Sequence, residues 1–192
     1  MEKKTSKYYE TARLMDEALL VLLEKKDFAF ITIKEICAKA GVNRSTFYLH
    51  YENTNDLLAE TISRIGERFY ESFKNRDDIL TNGATGESFF ITPDYLIPYL
   101  EFVKENKRIF SLIHKKPELF SSRKVFEKMY ADLFSPILDK YGLSALEKPY
   151  VFEFYSRGAL AVVMKWLEND CKDEIDFVME LIIRMVGYDE KD

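Results

Sequence analysis

Tyr8, Ala12, Met15, Leu19 and Leu22 recur at the three- and four-residue spacing of a helix with one apolar face, which predicts a first helix over roughly 6–25. It closes on Glu24-Lys25-Lys26-Asp27, and Phe28-Ala29-Phe30-Ile31 leads to Thr32. Thr32 with Glu35 three residues on forms a capping box, so a short helix is expected over about 33–40, with Ile33, Ile36, Cys37 and Ala40 on one side. Gly41 stops it. Asn43 can cap a second short helix, Arg44 to His50, and the polar cluster Glu52-Asn53-Thr54-Asn55 opens a long one to about Lys74. Residues 75–92, with Asp77-Asp78 and Asn82-Gly83-Ala84-Thr85-Gly86, read as a loop. Thr92-Pro93 is a cap followed by proline at the first helical position, predicting a helix to about Glu105 and another over 107–115. Pro117 starts the next helix, which Pro136 should kink or split before Gly142 ends it. Pro149 opens a strongly apolar helix over about 149–168, and a last one covers about 173–187. No stretch alternates with period two. The expectation is an all-α chain of nine or ten helices.

Composition agrees. Among 192 residues, Gly is only 7 and Pro only 5, which suits helices joined by short turns and excludes collagenous or low-complexity chains. Fifteen Phe, 12 Tyr and 1 Trp exceed what a small bundle needs and can line a ligand cavity. No apolar run approaches the ~18 residues of a membrane span. Met1-Glu2-Lys3-Lys4-Thr5 leads into an amphipathic stretch and not into a signal-peptide core, so a soluble, cytoplasmic protein with no membrane partner is expected. Cys37 and Cys171 read as reduced packing cysteines. His50 and His114 are the only histidines and have no partner at ligand spacing, so neither metal nor cofactor is expected. The net charge of −5 divides unevenly. Residues 1–50 hold nine Lys/Arg against seven Asp/Glu, and the rest nineteen against twenty-six. A mildly basic module on an acidic body is compatible with phosphate facing the former.

The two short helices joined by Ala40-Gly41-Val42-Asn43 form a helix-turn-helix pattern. Phe47 and Tyr51, four apart, can face the core, which leaves Arg44, Ser45, Thr46 and Tyr48 outward. These types suit DNA: Arg bonds guanine O6 and N7 together, Ser and Thr reach bases or phosphates, and a Tyr hydroxyl bonds phosphate. So short a helix should enter the major groove by its N-terminal end. A helix-turn-helix that presents the same face to a protein partner has the same pattern, and steep salt dependence separates the two. An enzyme is not expected, because no Gly-rich phosphate loop, Gly-x-Ser-x-Gly elbow or carboxylate–histidine cluster can be traced.

The run Thr32-Ile-Lys-Glu-Ile-Cys-Ala-Lys-Ala-Gly-Val-Asn-Arg-Ser-Thr-Phe-Tyr-Leu-His-Tyr51, followed by Asp56-Leu57-Leu58, closely resembles the DNA-binding domain of the TetR family of bacterial transcription regulators. The resemblance covers about residues 6–72 and is weaker beyond. It implies a helix-turn-helix domain over 1–52, a connecting helix over 53–78 and a ligand-binding and dimerisation domain over 93–192. Thr32 and Lys34 would contact phosphate. Asn43 caps the reading helix, and Arg44, Ser45 and Thr46 would approach base edges. Tyr48, Leu49 and His50 would flank the backbone. Thr54 stands where the family usually has lysine, so one phosphate charge contact is missing. Its hydroxyl and the backbone N–H groups of that helix end remain.

The same resemblance implies a homodimer on a palindromic duplex operator, a repressor released by an unidentified small apolar or aromatic effector. In the helix over 149–168, Tyr150, Phe154, Gly158, Ala161, Val162 and Lys165 form a stripe that is small in the middle. On the last helix Phe177, Leu181, Arg184 and Tyr188, or Ile175, Val178, Ile182 and Met185, supply apolar faces. Two such helices per subunit would build a four-helix interface, for which Phe154, Gly158, Ala161, Val162, Lys165, Val178, Ile182 and Met185 are the candidates. Candidate cavity liners are Tyr70, Phe73, Phe102, Phe110, His114, Phe126, Tyr130, Phe134 and Tyr155.

Overall fold

A computed structural model describes residues 2–74, 91–120, 127 and 130–186. Ten α-helices and no strand occur among the described residues. They are α1 (Glu2–Leu23), α2 (Ile33–Ala40), α3 (Arg44–His50), α4 (Thr54–Lys74), α5 (Pro93–Glu105), α6 (Lys107–Lys115), α7 (Pro117–Phe120), α8 (Ser135–Asp139), α9 (Lys148–Glu168) and α10 (Ile175–Val186). The chain divides into two compact units, residues 1–65 and 66–192.

In the first unit α1 packs on α2 and α2 on α3. The apolar face expected of α1 holds in its middle, where Ala12, Met15 and Leu19 are buried. At its ends Tyr8 is exposed and Leu22 half-buried. Leu23, four residues after Leu19, takes the core position instead, as a 3.6-residue repeat requires. The capping box is formed. The Glu35 N–H donates to Thr32 Oγ1 at 3.3 Å, and the Thr32 N–H donates to Glu35 Oε2 at 3.0 Å. Such a cap contributes about 1 kcal/mol. Gly41 takes a left-handed φ of 69° and its N–H bonds Cys37 O. No atom lies within 4 Å of where its Cβ would be. The demand for glycine there is therefore the backbone angle and not crowding.

In the second unit α9 packs on α10, α10 on α5 and α9 on α6. Their shared core includes Leu100, Ile137, Leu138, Val163, Trp166, Val178 and Ile182. The Trp166 indole N–H donates to Asp173 O at 3.0 Å and ties down the turn between α9 and α10. At Pro136, where a kink or split is expected, the backbone stays helical but changes type: a five-residue π turn, Tyr130–Phe134, gives way to α8, with the proline in its first turn. A buried proline the pattern did not flag, Pro98, lies inside α5. Phe126 and most of the expected loop over 75–92 lie outside the described residues. No described helix is long and apolar enough to cross a membrane.

Candidate nucleic-acid interface

The exposed side of α2 and α3 is built by two caps and one buried ring. Phe47 is 0% exposed and fixes the rotation of α3. Asn43 Oδ1 accepts from the Thr46 N–H and from the Ser45 hydroxyl, both at 2.7 Å. Ser45 has therefore committed its one proton and faces outward as an acceptor. Lys34, Asn43, Arg44, Ser45, Tyr48 and Leu49 are all exposed, and Thr46 is half-buried. Neither Lys34 nor Arg44 has an ion-pair partner among the described residues. Two uncompensated cations and a row of short polar groups thus lie on one surface, the donor set that phosphate and base edges require.

Two expected phosphate contacts are changed by local bonding. Thr32 is exposed, but its hydroxyl donates to Glu35 Oε2 at 2.7 Å, so no proton remains for a phosphate while the box is closed. Lys26, 2.6 Å from the Glu35 carboxylate, and Thr32 together hold that carboxyl down at about 2. At the start of α4, Asn53 Oδ1 accepts the N–H groups of Asn55 and Asp56 at 2.8 and 3.1 Å. The expected backbone contribution of that helix end narrows to what Thr54 itself presents, because its neighbours are self-capped.

Behind α3 lies a network that the pattern reading missed. The Arg64 guanidinium forks onto Asp16, with Nε 2.6 Å from Oδ2, and donates from Nη2 to Tyr51 Oη at 2.9 Å. It also pairs with Glu60. Thr61 Oγ1 stands 2.7 Å from both Asp16 Oδ1 and Leu57 O, and its single proton serves one of them at a time. Burial raises the Tyr51 hydroxyl to about 12, so it stays neutral. Asp16 on α1 and Arg64 on α4 thereby hold the residue that ends α3. The signal was in the sequence: Arg64 is a cation on the Leu57–Thr61 face of α4.

His50 is half-buried, stacked on Tyr8 with ring centroids 3.9 Å apart, and its Nδ1 is buried without a hydrogen-bond partner. Desolvation first, and then the Arg64 charge, push its pKa below the ordinary 6.5, against a smaller pull from Glu60. Tyr8, Tyr51, Arg64 and Glu60 are the groups around it. A histidine with a lowered folded-state pKa binds fewer protons folded than unfolded. Its contribution to stability is complete above pH 6.5 and declines as pH falls toward the folded-state value. The difference in unfolding free energy between wild type and His50→Phe should therefore change between pH 7.5 and 5.5, with wild type losing more. A pH-independent difference would show that His50 does not titrate in this window.

The predicted cavity liners are dispersed. Phe73 and Phe102 are buried with Phe69, and Tyr70, Tyr99, Phe110 and Phe134 pack around them. Ring centroids stand 5.1 Å apart for Phe69–Phe73 and 5.2 Å for Phe69–Phe102. Phe110 and Phe134 also touch the larger core, against which Tyr130 and Tyr155 pack. His114 is exposed, since α6 buries its Ile109 and Leu112 side. A groove of about 500 Å³ lies between α9 and α10, lined by residues such as Val162, Lys165, Trp166 and Phe177. None of the eight predicted liners among the described residues borders it.

Among the predicted interface residues, Phe154 (69% exposed) and Met185 (67%) are open, as are Ala161 and Lys165, while Gly158 and Val162 are half-buried. Val178 and Ile182, at 2% and 0%, lie in the chain's own core and cannot offer area to a partner. The outward face of α10 carries Phe177, Arg184 and Met185.

Comparison with known proteins brackets both units. Residues 17–61 match the family model described as bacterial regulatory proteins, tetR family. Residues 92–188 match a transcriptional regulator C-terminal region of the same family series. YxbF of Bacillus subtilis, an uncharacterized helix-turn-helix regulator, is 25% identical over 181 residues. That alignment takes in 89% of this chain, which spans only 43% of the relative's length. A TetR transcriptional regulator from Streptococcus agalactiae has a similar structure, with a TM-score of 0.62 at 22% identity over 97% of this chain and 99% of that one. The fatty acid degradation regulator FadR from Bacillus halodurans gives 0.68 at 16% identity over 96% of each chain. A TetR-family regulator from Haemophilus influenzae gives 0.67 at 18% identity, over 98% of this chain and 100% of that one. At these identities the structural likenesses carry the fold alone.

Proposed function

Because the chain belongs to the TetR family of helix-turn-helix DNA-binding transcription regulators, a family without enzymatic activity, we propose that it is a repressor that binds a palindromic operator as a homodimer and is released by a small apolar or aromatic effector. The observation that carries the DNA-binding part is the surface of α2 and α3. Lys34 and Arg44 stand exposed without ion-pair partners beside Asn43, Ser45 and Tyr48, and Phe47 and the Asn43 cap fix the orientation of α3. Lys34 and Tyr48 serve phosphates and Arg44 a base edge. His50 and Thr54 lie at the margin.

The homodimer is supported by the exposed rings of Phe154 on α9 and Phe177 on α10, and by the small, exposed Ala161 on α9. Isolated large apolar residues need no explanation, but two facing helices that share such a face mark an association surface. Effector release is supported by the aromatic cluster of Phe69, Phe73 and Phe102. Phe69 and Phe73 sit in the last turns of α4, whose first residue is Thr54. An effector that displaces those rings has a covalent route to the start of α4. It can change operator affinity only by its differential affinity for the two states, typically about 1–3 kcal/mol.

Titration of a fluorescent duplex at rising salt tests the DNA-binding reading. Several phosphate contacts in each half-site should make affinity fall by orders of magnitude, roughly 10³-fold or more, between 50 and 200 mM salt. Salt-independent binding, or none on any duplex, would turn the α2–α3 surface over to a protein partner.

A further inference from the structure

Resting on that DNA-binding reading, the structure assigns to Leu49 the recognition of a thymine through its 5-methyl group. The resemblance put Leu49 beside the phosphate backbone, and the geometry of α3 moves it to the middle of the reading face. At 100° per residue, Ser45 and Leu49 each lie about 160° from the buried Phe47, so they form the line of α3 that points most directly away from the core. By the same count Tyr48 lies about 100° from Phe47, and Arg44, the first residue of the helix, about 60°. Leu49 is 78% exposed, against 0% for Phe47.

The chemistry of that position is restrictive. An isobutyl group neither donates nor accepts a hydrogen bond, so it gains nothing from a phosphate oxygen or from the polar edges of guanine, cytosine or adenine. The major groove offers it one apolar group, the C5-methyl of thymine. Leu49 lies one helical turn, about 6 Å, beyond Ser45 on the same line. Contact there removes both the methyl and the leucine from water, and the gain is absent for the same base without its methyl.

The test uses the full chain and the operator recovered from a random DNA pool. Each thymine of that operator is replaced by deoxyuridine, which deletes the methyl and keeps every hydrogen-bonding atom. At one position, repeated in both half-sites, wild-type affinity should fall about fourfold per methyl and about fifteenfold when both are removed, the value of one buried methyl each time. Leu49→Ala, a change at an exposed site, should fold normally, bind the thymine operator more weakly, and bind thymine and deoxyuridine duplexes equally. Wild-type indifference to every replacement would overturn the assignment while DNA binding stands. So would a Leu49→Ala protein as sensitive as wild type. A pool that yields no enriched sequence would overturn the DNA-binding reading and this assignment with it.

Discussion

Phe154→Glu is expected to leave each subunit folded, to abolish pairing, and to lower operator affinity by at least a hundredfold. Phe154 is 69% exposed on α9, so its replacement opens no cavity inside the subunit. In a two-fold pair the same ring is buried twice, each worth about 2 kcal/mol. Glutamate withdraws both contributions and places two like charges in a desolvated seam, a further cost of several kcal/mol. The seam belongs to an acidic body, which adds repulsion. Operator binding follows because two half-sites one helical turn apart need two linked reading helices, and a lone reader loses the local concentration that linkage supplies. Sedimentation of wild type and variant, with duplex titration of both, makes the check. A variant that sediments as a dimer would place the interface away from α9.

Arg44→Ala should cost about tenfold to a hundredfold in affinity per half-site and relax preference at one base pair of each. Arg44 opens α3, is exposed, and has no ion-pair partner among the described residues, so its truncation leaves nothing unpaired in the free protein. A guanidinium held bidentate on guanine loses two charge-assisted hydrogen bonds, and none of the short side chains around it can span the same two acceptors. Tyr48→Phe provides the contrast: a phosphate contact positions without specifying, so that variant should weaken all sequences alike. Repeating the pool selection with each variant distinguishes them. An unchanged consensus with Arg44→Ala would remove Arg44 from base readout.

The sequence was most legible where local chemistry decides the structure. Thr32 with Glu35, Gly41 and Asn43 announce caps and a turn whose geometry depends on residues within four positions, and α2 and α3 run as the pattern predicts. The ends of α5, α6, α9 and α10 followed from prolines and periodicity for the same reason. Contacts distant in sequence were not legible. Arg64 meets Asp16 across 48 positions, and nothing near either residue names the other. Tertiary packing sends Phe102 to one aromatic cluster and Tyr155 to another, with Phe110 and Phe134 touching both, so ring content alone could not sort them. Val178 and Ile182 are as apolar as an interface residue must be, and equally suited to the core they occupy. Periodicity identifies an apolar face but not what covers it. The caps also carried a consequence the motif did not: the hydrogen bonds that stop α2 and α4 from fraying occupy groups expected to meet phosphate.

Selection of bound sequences from a random duplex pool, carried out with the full chain, decides whether this protein is an operator-binding dimer. The pool should enrich one sequence made of two inverted half-sites, centred about one helical turn apart and each with a thymine at a fixed position. Enrichment of nothing, with retention of random duplex no better than that of an unrelated acidic protein, would contradict it.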